Sequence, residues 1–246
     1  MYLQSPLTRS PGTALPLDRQ QAAAAVLQLV LLAALTTAAG LGPAGWLAGV
    51  AYGAGLHTLL AGAARRAGTG ALGPADLVTL GRAVLIGGVT ALVVDGLVAG
   101  RPALVPLVGL ASVALALDFV DGRVARRTGT ASALGARFDM ETDAYLLLVL
   151  SVQVAAVTGP WVLVIGGLRY AFVAAGWVLP WLTGNLPARF SAKAVAAAQG
   201  IVLVVAAAGI LPVAAAVVLV AVALGALAWS FGRDTLLLYR SRPASA

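Results

Sequence analysis

Along most of this chain, apolar positions neither alternate nor recur at a helical period. They run on for close to twenty residues at a time, and polar residues gather in the breaks between runs. A buried strand is finished within eight residues or so, whereas an apolar run of ~20 residues is what a helix needs to cross a bilayer. Eight such runs stand out, at about 21–39, 43–63, 80–99, 103–122, 143–159, 161–182, 193–210 and 212–232, each near that length. The breaks carry turn chemistry: Gly40-Leu41-Gly42-Pro43, Gly159-Pro160, Gly184-Asn185-Leu186-Pro187 and Leu211-Pro212. The pattern predicts an all-α polytopic transmembrane bundle of about eight spans, with no internal repeat at solenoid periods. Residues 1–20 read as a short tail. Ala38-Ala39-Gly40 imitates a signal-peptide cleavage site, but the long apolar stretch and the Asp18 before it argue against that reading.

Composition strengthens the picture. The 246 residues are 61% hydrophobic and 10% charged, with a mean hydropathy of +0.96, leaving no length for a large soluble domain. There is no cysteine, which excludes disulfides, thiolate catalysis and cysteine metal sites. The net charge of +7 comes almost wholly from arginine, since Lys193 is the single lysine. These charges sit at the ends of apolar runs. Membrane topology and anionic headgroups therefore explain them better than nucleic acid, which is not expected as a partner. Alternate connections hold Arg9 and Arg19; Arg65 and Arg66; Arg123, Arg126, Arg127 and Arg137; Arg189 and Lys193; then Arg233, Arg240 and Arg242. The intervening ones hold only Arg101. The positive-inside rule then places both termini and the 118–143 segment on the cytoplasmic side of the cell membrane.

That segment concentrates the chemistry. It contains Asp118, Asp121, Asp139, Glu141 and Asp143, five of the nine acidic residues. Asp118 and Asp121 share a helix face by their three-residue spacing, and Asp139 and Asp143 by their four-residue spacing. Carboxylates crowded at a membrane boundary repel one another unless a cation lies between them. Hard divalent ions with oxygen ligands meet that need.

The spacing D-x2-D-G-x2-A-R-x8-G-x3-D-x3-D, filled by Asp118, Asp121, Gly122, Ala125, Arg126, Gly135, Asp139 and Asp143, resembles the signature of the CDP-alcohol phosphatidyltransferase family. Leu77-Val78-Thr79-Leu80-Gly81-Arg82 resembles that family's entry into its first core helix, and Ser191-Ala192-Lys193 with Gln199 resembles the start of its fifth. The resemblance covers roughly residues 72–240. It implies a six-helix core over 67–246, with residues 1–66 forming a tail and an accessory hairpin. It implies a membrane transferase of phospholipid synthesis that moves a phosphatidyl group from CDP-diacylglycerol to an alcohol, releases CMP, works with two Mg²⁺ or Mn²⁺ ions and forms a homodimer. On this resemblance Asp118, Asp121, Asp139 and Asp143 are metal ligands, and Asp143 is also the base that takes the alcohol proton. Gly122, Ala125, Arg126 and Gly135, with Thr79 and Arg82, line the CDP-lipid site. Arg169, Arg189 and Lys193 are expected to form a basic pocket for the acceptor, which would suit glycerol 3-phosphate or inositol phosphate.

Several residues stand apart from the motif. Glu141 lies off the Asp139/Asp143 face, where solvation or an arginine partner is expected. Arg169 falls inside an apolar run, where a charge is a functional hypothesis in itself; snorkelling or pairing with Asp95 is its structural alternative. His57, the lone histidine, reads as hydrogen-bonded packing. Trp46, Trp161, Trp177, Trp181 and Trp229 fall near run ends, as interfacial belts do. A cation-coupled transporter is the competing function, but such proteins often show matching halves with broken helices. Here the carboxylates cluster once, at one face.

Overall fold

The structure is a computed structural model that describes residues 15–128, 132–183 and 190–240; the side chains of residues 119, 121, 125, 126, 128, 180, 183 and 190–193 are outside the description. Eight α-helices account for almost all of it: α1 (Leu17–Ala39), α2 (Pro43–Ala67), α3 (Pro74–Ala99), α4 (Leu104–Thr128), α5 (Ala133–Thr158), α6 (Leu163–Val178), α7 (Phe190–Ala207) and α8 (Val213–Arg240). Among the described residues seven helical spans are long and apolar enough to cross a membrane, α6 qualifying together with the 3-10 turn Pro160–Val162 before it, which makes this a multi-pass membrane protein; α7 contributes a shorter apolar stretch, Ala194–Ala207. The turn signals at 184–187 lie outside the described residues.

The eight apolar runs fall on the eight helices, but the helices do not stop where the runs stop. α3 begins at Pro74 and α5 at Ala133, well before the apolar runs begin, and α4 continues to Thr128. Polar residues lengthen a helix past the hydrocarbon wherever water or ion pairs can serve their side chains. The acidic motif consequently rides on helical ends. Elsewhere the chain is broken early. Leu179 precedes Pro180, whose ring disfavours the helical region for the residue before it. α6 accordingly ends at Val178, and a short 3-10 turn, Pro180–Thr183, follows.

α3 is the central helix, packed by α1, α2, α4 and α5, and its buried residues run nearly around its circumference. In hydrocarbon the driving force between helices is close packing rather than water exclusion, so small residues set the spacing. Gly45, Gly49 and Gly53 form a buried stripe on α2. A Cβ on Gly45 would sit 2.9 Å from the Ala91 carbonyl oxygen of α3, and one on Gly49 would press into Leu32 of α1. In so glycine-rich a chain this stripe carries no weight as a sequence pattern.

Trp46 Nε1 donates to Thr36 Oγ1 (2.8 Å), and Trp161 Nε1 to the Thr158 carbonyl (2.9 Å), both at helix ends as expected of interfacial tryptophans. His57 is half-buried on α2, and its buried Nδ1 has no hydrogen-bond partner among the described residues.

Candidate active site

The site is built on the paired ends of α3, α4 and α5. α5 starts at Ser132, whose hydroxyl accepts the Gly135 N–H (2.9 Å), satisfying one of the amides that a helix start leaves open. One turn further, Asp139 and Asp143 face back toward α3. α4 brings Asp118 to the same point. One carboxylate oxygen from each of Asp118, Asp139 and Asp143 lies within 4.8 Å of the others.

Arg82 of α3 stands at the centre. Its side chain is 0% exposed. Nη1 lies 3.0 Å from Asp118 Oδ1 and 2.6 Å from Asp139 Oδ1, Nη2 donates to Asp143 Oδ1, and Nε donates to the Ala114 carbonyl of α4 at 3.1 Å. One guanidinium therefore ties three helices together. The sequence places Arg82 and Thr79 at the nucleotide. In the structure both are buried, and the Thr79 hydroxyl donates to the Ala75 carbonyl of its own helix at 3.3 Å. Buried arginine persists where its fixed fork of donors is met by acceptors, as here.

The carboxylates are less enclosed than the arginine: Asp118, Asp139 and Asp143 are 33%, 38% and 41% exposed. One positive charge against three negative ones leaves two in excess, before Asp121 is counted. An all-oxygen donor set with surplus negative charge and an open face fits Mg²⁺ or Mn²⁺. Asp121, Ala125 and Arg126 lie on α4, but their side chains are outside the description. Gly122 is partly exposed on the same helix.

Gly135 has a specific neighbour. A Cβ there would run into the Asp76 carboxylate, whose other oxygen accepts the Gly73 N–H (3.1 Å) at the start of α3. The missing side chain lets the first turn of α5 sit against the first turn of α3.

Arg169 of α6 pairs with Glu141 of α5, Nη2 to Oε1 at 2.7 Å. Glu141 thus has the arginine partner expected for it. Pairing of Arg169 with Asp95 is not what occurs. Asp95 Oδ1 instead accepts the N–H groups of Gly42 (3.0 Å) and Gly45 (3.2 Å), capping the start of α2. The Arg169 Nε is buried without a hydrogen-bond partner among the described residues. The pair ties α6 to α5 at a residue two positions along the chain from both Asp139 and Asp143. Of the other residues expected at the acceptor, Arg189 lies outside the described residues. Lys193 falls in the first turn of α7, its side chain likewise outside.

The sequence profile of the family described as CDP-alcohol phosphatidyltransferase matches residues 73–229. No curated protein and no solved structure matches the chain. The match spans α3 to most of α8 and contains every residue of the acidic cluster, and α1 and α2 precede it. The chain belongs to the CDP-alcohol phosphatidyltransferase family and is a membrane transferase of phospholipid synthesis.

Proposed function

We propose that this protein transfers a phosphatidyl group from CDP-diacylglycerol to a small alcohol and releases CMP, with a phosphorylated acceptor such as glycerol 3-phosphate or inositol phosphate as the alcohol. The observation that carries this reading is the convergence of Asp118, Asp139 and Asp143 around Arg82 on an open face of the matched core.

Asp118, Asp121 and Asp139, with Asp143, would hold two divalent ions. Bound there, such ions neutralise charge on the oxygens of the pyrophosphate. The chain's own residues supply the rest. Arg82 keeps the carboxylates of α4 and α5 within reach of one another while leaving each partly exposed. Asp143 receives the proton of the attacking hydroxyl. Gly122 and Ala125 keep the nucleotide face of α4 shallow, and Arg126 takes a phosphate oxygen. Arg169 offers its guanidinium to the acceptor's phosphate, with Glu141 holding it in place, and Arg189 and Lys193 add their charges to that pocket. The active site and both termini face the cytoplasm, and the protein works as a homodimer. Residues 1–66 contribute a tail and an accessory hairpin packed beside the core of 67–246.

The purified protein in lipid nanodiscs, given CDP-diacylglycerol, Mg²⁺ and a panel of alcohols, should release CMP with one phosphorylated acceptor and stop on addition of excess EDTA. Absence of CMP release with every acceptor would refute the reaction, and undiminished turnover in EDTA would refute the metal assignment.

A further inference from the structure

The α1–α2 hairpin lies outside the matched core, yet it is fastened to the segment that leads into the active site. The Gln20 side chain is buried, with 6% exposure, and uses both ends of its amide on one residue. Nε2 donates to the Leu72 carbonyl (3.2 Å), and Oε1 accepts the Leu72 N–H (2.8 Å). Beside it the Leu17 N–H donates to the Gly70 carbonyl (2.9 Å). An amide that meets both polar groups of one peptide unit fixes position and orientation together, and leaves no buried backbone group unmet there.

Leu72 is not an isolated anchor. It is buried with Leu60 of α2 and with Leu80 and Val84 of α3, and Leu134 and Phe138 of α5 pack against this cluster. Phe138 directly precedes Asp139. The next residue after Leu72 is Gly73, whose N–H is held by Asp76, the carboxylate on which Gly135 rests. The first two turns of α5 therefore sit on a floor whose position is set by Leu72, and Leu72 is held by Gln20.

We propose that Gln20 is a positioning residue for the catalytic centre. Through Leu72 it fixes the floor beneath Asp139 and Asp143, so that the hairpin is a working part of the transferase. This inference rests on the function proposed above. Its experiment is arranged so that the two fail separately.

Gln20→Met keeps the length of the side chain and removes both hydrogen bonds. In nanodiscs, kcat for CMP release should fall by about ten- to a hundredfold, the scale of a misplacement of up to ~1 Å at reacting groups, while KM for CDP-diacylglycerol changes little. Mn²⁺ titration followed by electron paramagnetic resonance, without substrate, should show weaker binding. Should Gln20→Met fail to fold, Gln20→Asn, which withdraws the same amide by one methylene, is read in the same way. Unchanged kcat and Mn²⁺ affinity in a variant of an active protein would overturn the inference, as would a KM for CDP-diacylglycerol that rises in step with the fall in kcat. If the native protein releases no CMP, the transferase reading fails, and the Mn²⁺ comparison alone decides whether Gln20 positions the cluster.

Discussion

Arg82 is the residue whose surroundings most change its meaning. By sequence it precedes an apolar run and belongs with the nucleotide. In the structure its fork of donors is occupied by Asp118, Asp139 and Asp143 and by a carbonyl of α4. Asp118, Asp139 and Asp143 could be picked out because local spacing marks carboxylates that share a helix face. The role of Arg82 could not, because it depends on where two other helices lie. Removing the arginine would leave three carboxylates facing one another; because these are 33–41% exposed, solvent holds the cost below the ~3–5 kcal/mol of a fully buried pair. Arg82→Ala should accordingly unfold at clearly lower temperature. Saturating Mn²⁺ should narrow the gap, because a second cation then relieves the same repulsion. Arg82→Lys should fall between the two, since a point charge cannot reproduce three directed bonds. Thermal unfolding in detergent with and without Mn²⁺ measures this, and equal melting of Arg82→Ala and native protein would remove Arg82 from the centre. At the same scale, Asp143→Asn should lower kcat by roughly 10²–10⁴-fold, the worth of a general base, and leave much of the CDP-lipid binding intact. Near-native turnover in Asp143→Asn would assign the proton to another group.

Among the helices, the start of α5 decides most. Its polar first turns are not part of any apolar run, so hydropathy places the span ten residues late, while the Ser132 cap and the Asp76 contact show where the helix begins. Gly135→Ala keeps the cap and drives a methyl group into the Asp76 carboxylate. Overpacking of this kind costs typically ~1–3 kcal/mol, and here the strain should displace Asp139 as well. Steady-state kinetics should show kcat reduced with the protein still folded; native kinetics would mean that α5 has room to shift. α6 gives the opposite lesson. Arg169 was recognisable as an intramembrane charge, but its partner was not, because reaching Glu141 depends on how α6 packs across α5. Arg169→Ala should raise the acceptor's KM about ten- to a hundredfold, the loss of one charge-assisted hydrogen bond, and leave the KM for CDP-diacylglycerol nearly unchanged. Equal effects on both substrates would make the Glu141 pair structural.

For the molecule as a whole, charge placement gives a topology that can be read in cells. Arg65, Arg66, Arg123, Arg127 and Arg137 cluster at the end that holds the active site, and Arg101 lies at the other. Single cysteines placed near Arg127 and near Gly159 have a clean background. An impermeant thiol reagent added to intact cells should label the Gly159 position and spare the Arg127 position; the reverse would invert the protein in the membrane. The helical class and the number of apolar runs were plain from hydropathy. How the hairpin attaches was not, because its fastenings join residues more than fifty positions apart.

One of those fastenings bears on how the protein is made. The amides of Gly42 and Gly45 at the start of α2 are met by Asp95, which the ribosome adds some fifty residues later. The hairpin is therefore made with its own helix start unfinished, its open amides left to interfacial water until α3 has been made. It reaches its final form only when α3 follows it out of the translocon and delivers the missing carboxylate. Assembly thus has a fixed order, in which the start of α2 is completed only after Asp95, some fifty residues further along the chain, has been made and packed against it.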